Sequence, residues 1–132
     1  MERLLIRSGS PWEDTVGFSR AVRVGQHVWV AGTAPVDGKG EPIAPGDAYG
    51  QTVAVLEKIK TALDGAGAKL EHVVRTRIFI TDMNVEVEVG RAHRRFFEGI
   101  RPAATMVAIS GLVRPELLVE IEADAFVHDQ EL

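Results

Sequence analysis

The chain has 132 residues, 45% of them apolar, which suits one domain with a modest core and leaves no room for two. Its 15 basic and 19 acidic side chains give a formal net charge of -4, so composition offers no case for nucleic acid or an anionic membrane as partner. Cysteine is absent, which excludes disulfides, thiolate catalysis and cysteine-ligated zinc, and agrees with a reducing cytoplasm.

The apolar run in Met1–Arg7 is too short for a signal peptide. No stretch approaches the roughly 20 apolar residues of a membrane span. A soluble, cytoplasmic protein with one domain over residues 1–132 is the expectation.

Leu4 to Arg7 reads as a first strand. Arg20-Ala21-Val22-Arg23-Val24 alternates charged and apolar residues, the period-two mark of a half-buried strand. Gly25-Gln26 supplies a turn and His27 to Ala31 the returning strand of a hairpin. Residues 33–46 hold three prolines and three glycines and form a loop. Asp47 caps a helix whose apolar stripe is Val53, Leu56, Ile59 and Leu63, ended by Gly65 and Gly67.

Val73 to Thr81 is the next strand. Parity places Arg75, Arg77 and Phe79 on one face and Val74, Thr76, Ile78 and Ile80 on the other. Asn84 is the expected cap of a second helix, with Glu86 and Glu88 in its first turn, where the helix dipole favours anions. Its stripe is Val85, Val89, Ala92 and Phe96. Thr105 to Ile109 and Leu117 to Val127 are the last strands, and His128–Leu132 is a loose tail. In the final strand Val119, Ile121, Ala123 and Ala125 share a face opposite Glu120, Glu122 and Asp124.

This order predicts an α+β layer, a mixed sheet with two helices on one face. The uncovered face then carries Arg75, Arg77, Phe79, Glu120 and Glu122. Such a surface is costly if dry and unpaired, and reasonable if it meets water, a ligand or another subunit.

Four segments together resemble the RidA/YjgF family of reactive-intermediate deaminases. They are Val16-Gly17-Phe18-Ser19-Arg20-Ala21-Val22, Val30-Ala31-Gly32-Thr33-Ala34-Pro35, Val74 to Asn84, and Arg101-Pro102-Ala103-Ala104-Thr105-Met106-Val107 followed by Val119 to Ala123. The resemblance spans residues 16–127, in order and at family spacing. It implies a chorismate-mutase-like fold and a homotrimer, with three sheets around a central axis and clefts lined by two chains. It also implies cofactor-independent hydrolysis of imines and enamines to 2-keto acids and ammonia.

In that family an arginine grips the substrate carboxylate with its planar fork, and a glutamate positions or activates water. The glutamate carries over as Glu120. Phe18 stands at the family's tyrosine, Ala31 at its serine with Thr33 two residues on, and Gly90 at its helix asparagine. Ala104 stands at the arginine. Losing a bidentate anchor costs at least about 1.5–3 kcal/mol of binding, so ordinary 2-imino-acid deamination is not expected. Arg20, Arg77 and His93 are the candidates for a reworked polar cleft around Glu120. An imidazole at position 93 titrates near neutral pH.

The plainer reading pairs Glu120 and Glu122 with Arg75 and Arg77 across strands, an interaction of about 0.2–1 kcal/mol. Arg91, Arg94 and Arg95 read as a solvated helix face. The four histidines show no metal-ligand spacing. Three functions stay open: a hydrolase or deaminase acting on a C=N bond, a non-catalytic metabolite-binding trimer, and, least favoured by the acidic charge, a ribonuclease or translation inhibitor.

Overall fold

The alternation around residue 25 folds as a hairpin. Strand β2 (Ala21–Val24) returns through Gly25-Gln26 into β3 (His27–Thr33), and Gly25 takes the positive φ of 59° that this tight turn demands. The computed structural model describes residues 2–128, so the expected loose tail lies, beyond His128, outside the described residues. Strand β1 (Arg3–Ile6) flanks β2. Strands β4 (Val73–Ile80), β5 (Ala103–Ala108) and β6 (Val119–Phe126) complete a six-stranded sheet in the order β1-β2-β3-β6-β4-β5.

The last strand is central. β6 slots antiparallel between β3 and β4, which therefore run the same way, and β5 lies parallel to β4. Each parallel relation needs a helical crossover. Helix α2 (Ala48–Gly65) joins β3 to β4, and α3 (Glu86–Phe97) joins β4 to β5. One buried cluster unites Leu56, Ile59 and Leu63 of α2, Val89 and Phe97 of α3, and Val28, Ile78, Ile80 and Ile121 of the sheet. The parity expected for β6 holds, with residues 119, 121, 123 and 125 buried and the acidic residues between them half-buried.

Five local expectations are corrected. First, there are three helices among the described residues. The short α1 (Pro11–Val16) has Ser10 as its cap, accepting from the Trp12 amide, and Pro11 in its first turn. Second, Val74 does not join Ile78 and Ile80 in the core. A bulge between Val73 and Arg75 turns Val74 outward, 47% exposed, and buries Val73 instead.

Third, Asn84 caps nothing. Asp82 accepts from the Asn84 amide and starts a 3-10 turn (Met83–Val85) that runs into α3. Fourth, the stripes of the long helices shift. Val55 is fully buried where Val53 is only partly so, and Phe97 is the deep residue of α3 with Phe96 at its margin. Fifth, the two last strands shift in extent, to Ala103–Ala108 and Val119–Phe126. No helix of the described residues is long and apolar enough to cross a membrane.

The bulge and the core yield a paired prediction. Leu56→Ala lowers the unfolding free energy by about 2–5 kcal/mol, whereas Val74→Ala stays within about 0.5 kcal/mol of wild type. Urea denaturation measures both. A cost at Val74 matching that at Leu56 would place Val74 in the core and remove the bulge.

Candidate functional site

A second bulge, in β3, builds the site. Val30 pairs with Ala123 and Thr33 with Ile121, so three steps of β3 face two of β6, and the extra residue falls at Ala31-Gly32. The bulge resets parity and turns Thr33 into the core. Thr33 is fully buried and its hydroxyl donates to the Ala31 carbonyl at 2.8 Å, so this candidate is not brought to the site. Beside the bulge, Gly32 lets the Glu120 side chain close on the backbone. A Cβ at position 32 would stand 2.6 Å from Glu120 Oε2.

Glu120 does not fit the plain cross-strand pairing. Its partner across β4 is Phe79, an aromatic ring. Glu122 behaves otherwise: it lies opposite Arg77, whose Nη1 reaches it at 3.3 Å and Asp124 at 3.2 Å. Those pairs are partly exposed, and each is of the modest kind worth about 0–1 kcal/mol.

From outside its own strand the charge that acts on Glu120 is Arg20, which in turn faces Glu13 of α1 and Lys58 of α2. Arg20, just before β2, is 8% exposed; its Nη2 donates to the Gly32 carbonyl at 2.7 Å and its guanidinium lies 5.5 Å from the Phe18 ring centroid. Glu13 of α1 is buried and accepts from the backbone amide and the hydroxyl of Ser8. Lys58 of α2 donates to the carbonyls of Ala34 at 2.9 Å and Val36 at 3.0 Å.

Burial sets the proton affinities. It pushes the Glu120 carboxyl above its usual range; the positive charge of Arg20 pulls the other way and Glu122 adds to the rise. Burial likewise lowers Arg20, against the charges of Glu13 and Glu120. It lowers Lys58, helped by Arg20 and opposed by Asp37 and Glu13. A carboxyl so placed can take or give a proton nearer neutral pH than an exposed one.

The remaining candidates fall in two other places. Arg77 borders a shallow depression of about 410 Å³ on the helix-free face, with Trp29, Ser19, Glu122 and Asp124. His93 lies on α3, its Nε2 2.9 Å from Thr76 Oγ1 and its ring 4.7 Å from that of Phe97. Burial lowers the His93 pKa and favours the neutral ring. Ala104 pairs with this same Thr76, which looks into the helix-covered side. Ala104 and His93 therefore share the sheet side opposite to Glu120 and Glu122.

Arg101, four residues beyond α3, takes a left-handed conformation, φ 57°, and is exposed. A side chain on Gly90 would meet nothing within 4 Å. Among the described residues no group of three or more His, Asp or Glu is placed to hold a metal.

Sequence reasoning missed Glu13, Lys58 and the role of Gly32. Ser10-Pro11 with Glu13 three residues after the cap was a readable helix start. That Glu13 is buried beside Arg20 was not, because it follows from how α1 folds back rather than from any period.

A mixed six-stranded sheet, backed by helices on one face and carrying a half-buried acid at a glycine bulge on the other, defines a small α+β protein with a polar, helix-free sheet surface. The family model described as endoribonuclease L-PSP matches residues 10–127. A protein of Streptomyces coelicolor is 37% identical over 122 residues, covering 92% of this chain and 90% of its own length. A RutC family protein of Pyrococcus horikoshii is 35% identical over 109 residues, covering 83% and 86%. The crystal structure of Rv2704 from Mycobacterium tuberculosis, described as a member of the YjgF/YER057c/UK114 family, superposes with a TM-score of 0.87 at 47% identity, covering 96% and 100%. The chain belongs to the RidA/YjgF family.

The Glu120 environment fixes a sign. A carboxyl whose pKa rises on folding favours the native state at low pH and loses that contribution as pH climbs through its folded value. Glu120→Gln, which mimics the protonated acid, is thus expected to melt above wild type at neutral pH, the difference closing as pH falls below about 4. Thermal melts across this range check it; a variant less stable at pH 7 would contradict the burial effect.

Proposed function

We propose that the protein is a small-molecule-acting member of its family that hydrolyses a reactive imine, enamine or related unsaturated acid, with Glu120 positioning or activating the attacking water. The observation that carries this reading is the Glu120 carboxyl itself: half-buried, set against Gly32, lacking a cross-strand arginine, and raised in pKa by its burial. The Phe18 ring beneath Arg20 is a wall of the same cluster. Hydrolysis of a C=N bond needs a proton donor and a placed water, so the reading calls for no cofactor.

In this reading the working unit is a cytoplasmic homotrimer. Two observations support assembly. The helix-free face leaves Trp29 exposed beside the Arg77 ion pairs, and Leu5 exposed on the edge strand. Strand β5 is open along most of its length, with Val107 41% exposed. Ala104 and Glu120 occupy opposite sheet sides of one chain, so a cleft containing both takes one residue from each of two chains. His93 and Thr76 then contribute a neutral, hydrogen-bonding wall next to Ala104, and Arg77 lies on the Glu120 side.

A methyl group at position 104 also supports a second reading, a non-catalytic trimer that binds a metabolite. Nucleic-acid cleavage fits less well, because Glu120, Glu122 and Asp124 line the helix-free face of a chain with net charge -4 and would repel phosphates.

Freshly generated 2-iminobutyrate or 2-aminoacrylate decides between these. Ala104→Arg is expected to raise kcat/KM about tenfold or more, the equivalent of about 1.4 kcal/mol. Glu120→Gln in that background is expected to lower turnover by about 100-fold or more. Ammonia release measures both. No turnover by wild type or by Ala104→Arg would defeat the hydrolase reading and leave the binding trimer.

A further inference from the structure

We propose that Arg20 is the positioning residue of the Glu120 site. Its buried guanidinium holds the Gly32 carbonyl while the Glu120 carboxyl rests against the same glycine, so the arginine fixes where that carboxyl sits and supplies the positive charge it works against. It does not grip the ligand. The inference rests on Glu120 being the working group of the site.

Accessibility argues first. An arginine that captures a carboxylate presents two parallel N–H groups to it. Arg20 is 8% exposed, its Nη2 is committed to Gly32 O at 2.7 Å, and its Cζ lies over the Phe18 ring, 5.5 Å from the centroid. Its Nε is sealed from solvent with no acceptor among the described residues. A buried charged donor without an acceptor is costly, and the negative charges of Glu13 and Glu120 offset part of that cost.

The surrounding charges show which group it serves. Two carboxylates act on Arg20, Glu13 and Glu120. Glu13 is occupied by the Ser8 amide and hydroxyl. Among the described residues Glu120 accepts no hydrogen bond from the protein, so it is the carboxylate free to respond. The other charge acting on it is Glu122, two residues along β6. β3 brings only the Gly32 backbone and β4 brings Phe79. Lys58 of α2 acts on the cluster through Arg20 and is itself tied to two carbonyls.

Arg20 is the one cation among the charges that act on Glu120, and Glu122 is the acid beside it. Arg20 therefore opposes burial at Glu120 and keeps its proton exchangeable, as a residue that handles water requires.

The test is NMR of the full chain, with the Glu120 side-chain carboxyl assigned by its disappearance in Glu120→Gln. In wild type the Arg20 Nε–H resonance is expected to move with the Glu120 titration, and in Glu120→Gln that movement is lost. Arg20→Gln is expected to raise the Glu120 midpoint, Arg20→Lys to bring it back toward wild type, and Glu122→Gln to lower it. An Arg20 Nε–H indifferent to the Glu120 titration overturns the proposal, whether or not Arg20→Gln folds. So does a Glu120 midpoint unmoved in Arg20→Gln.

With a turned-over imine in hand, Arg20→Gln lowers kcat about tenfold at unchanged KM, and Arg20→Lys recovers most of it. A raised KM at unchanged kcat makes Arg20 a ligand-gripping residue and overturns the proposal. Failure of wild type to turn over any imine counts against the hydrolase reading, while the titrations still decide the role of Arg20.

Discussion

The close approach of a carboxyl to a bare backbone organises the polar cluster around Glu120. At Gly32 the missing side chain leaves room for Glu120 Oε2 where a Cβ would stand 2.6 Å away. The β3 bulge places that glycine there, and the same bulge turns Thr33 inward, so the core and the site are settled by one irregularity. Arg20 then engages the Gly32 carbonyl; α1 brings the opposing charge of Glu13 and α2 the like charge of Lys58. Glu122, two residues along, is instead an ordinary partly exposed partner of Arg77.

Much of the fold was legible because the periods are clean. β6 alternates without interruption, and its buried and polar faces follow residue by residue. The hairpin at Gly25 and the cap at Asp47 follow from turn and cap chemistry. What could not be read is where two strands break register. Both bulges sit in segments that look regular in one dimension, and each moves a residue, Val74 or Thr33, to the face that parity forbids. The central position of β6 was equally hidden, since strand order depends on the two crossovers and not on any local pattern.

The site was half legible. Glu120, Arg20 and Phe18 were named from family motifs, and the structure brings them together with Gly32. His93 and Ala104 were named from the same motifs and lie on the other side of the sheet, joined through Thr76. That separation is physical: residues 104 and 120 sit on strands flanking β4 with opposite parity, so no single chain presents both to one ligand. Glu13 and Lys58 carry no motif, and their place in the charge balance comes from tertiary packing alone.

The most direct test of this account is Gly32→Ala, followed by Glu120 carboxyl titration and a urea melt. The added methyl meets only the far end of a flexible side chain, so stability should fall by no more than about 1 kcal/mol, while the displaced carboxyl gains solvent and its midpoint drops toward that of an exposed glutamate. A Glu120 titration identical to wild type in a folded Gly32→Ala protein would contradict the claim that this glycine holds the carboxyl in place.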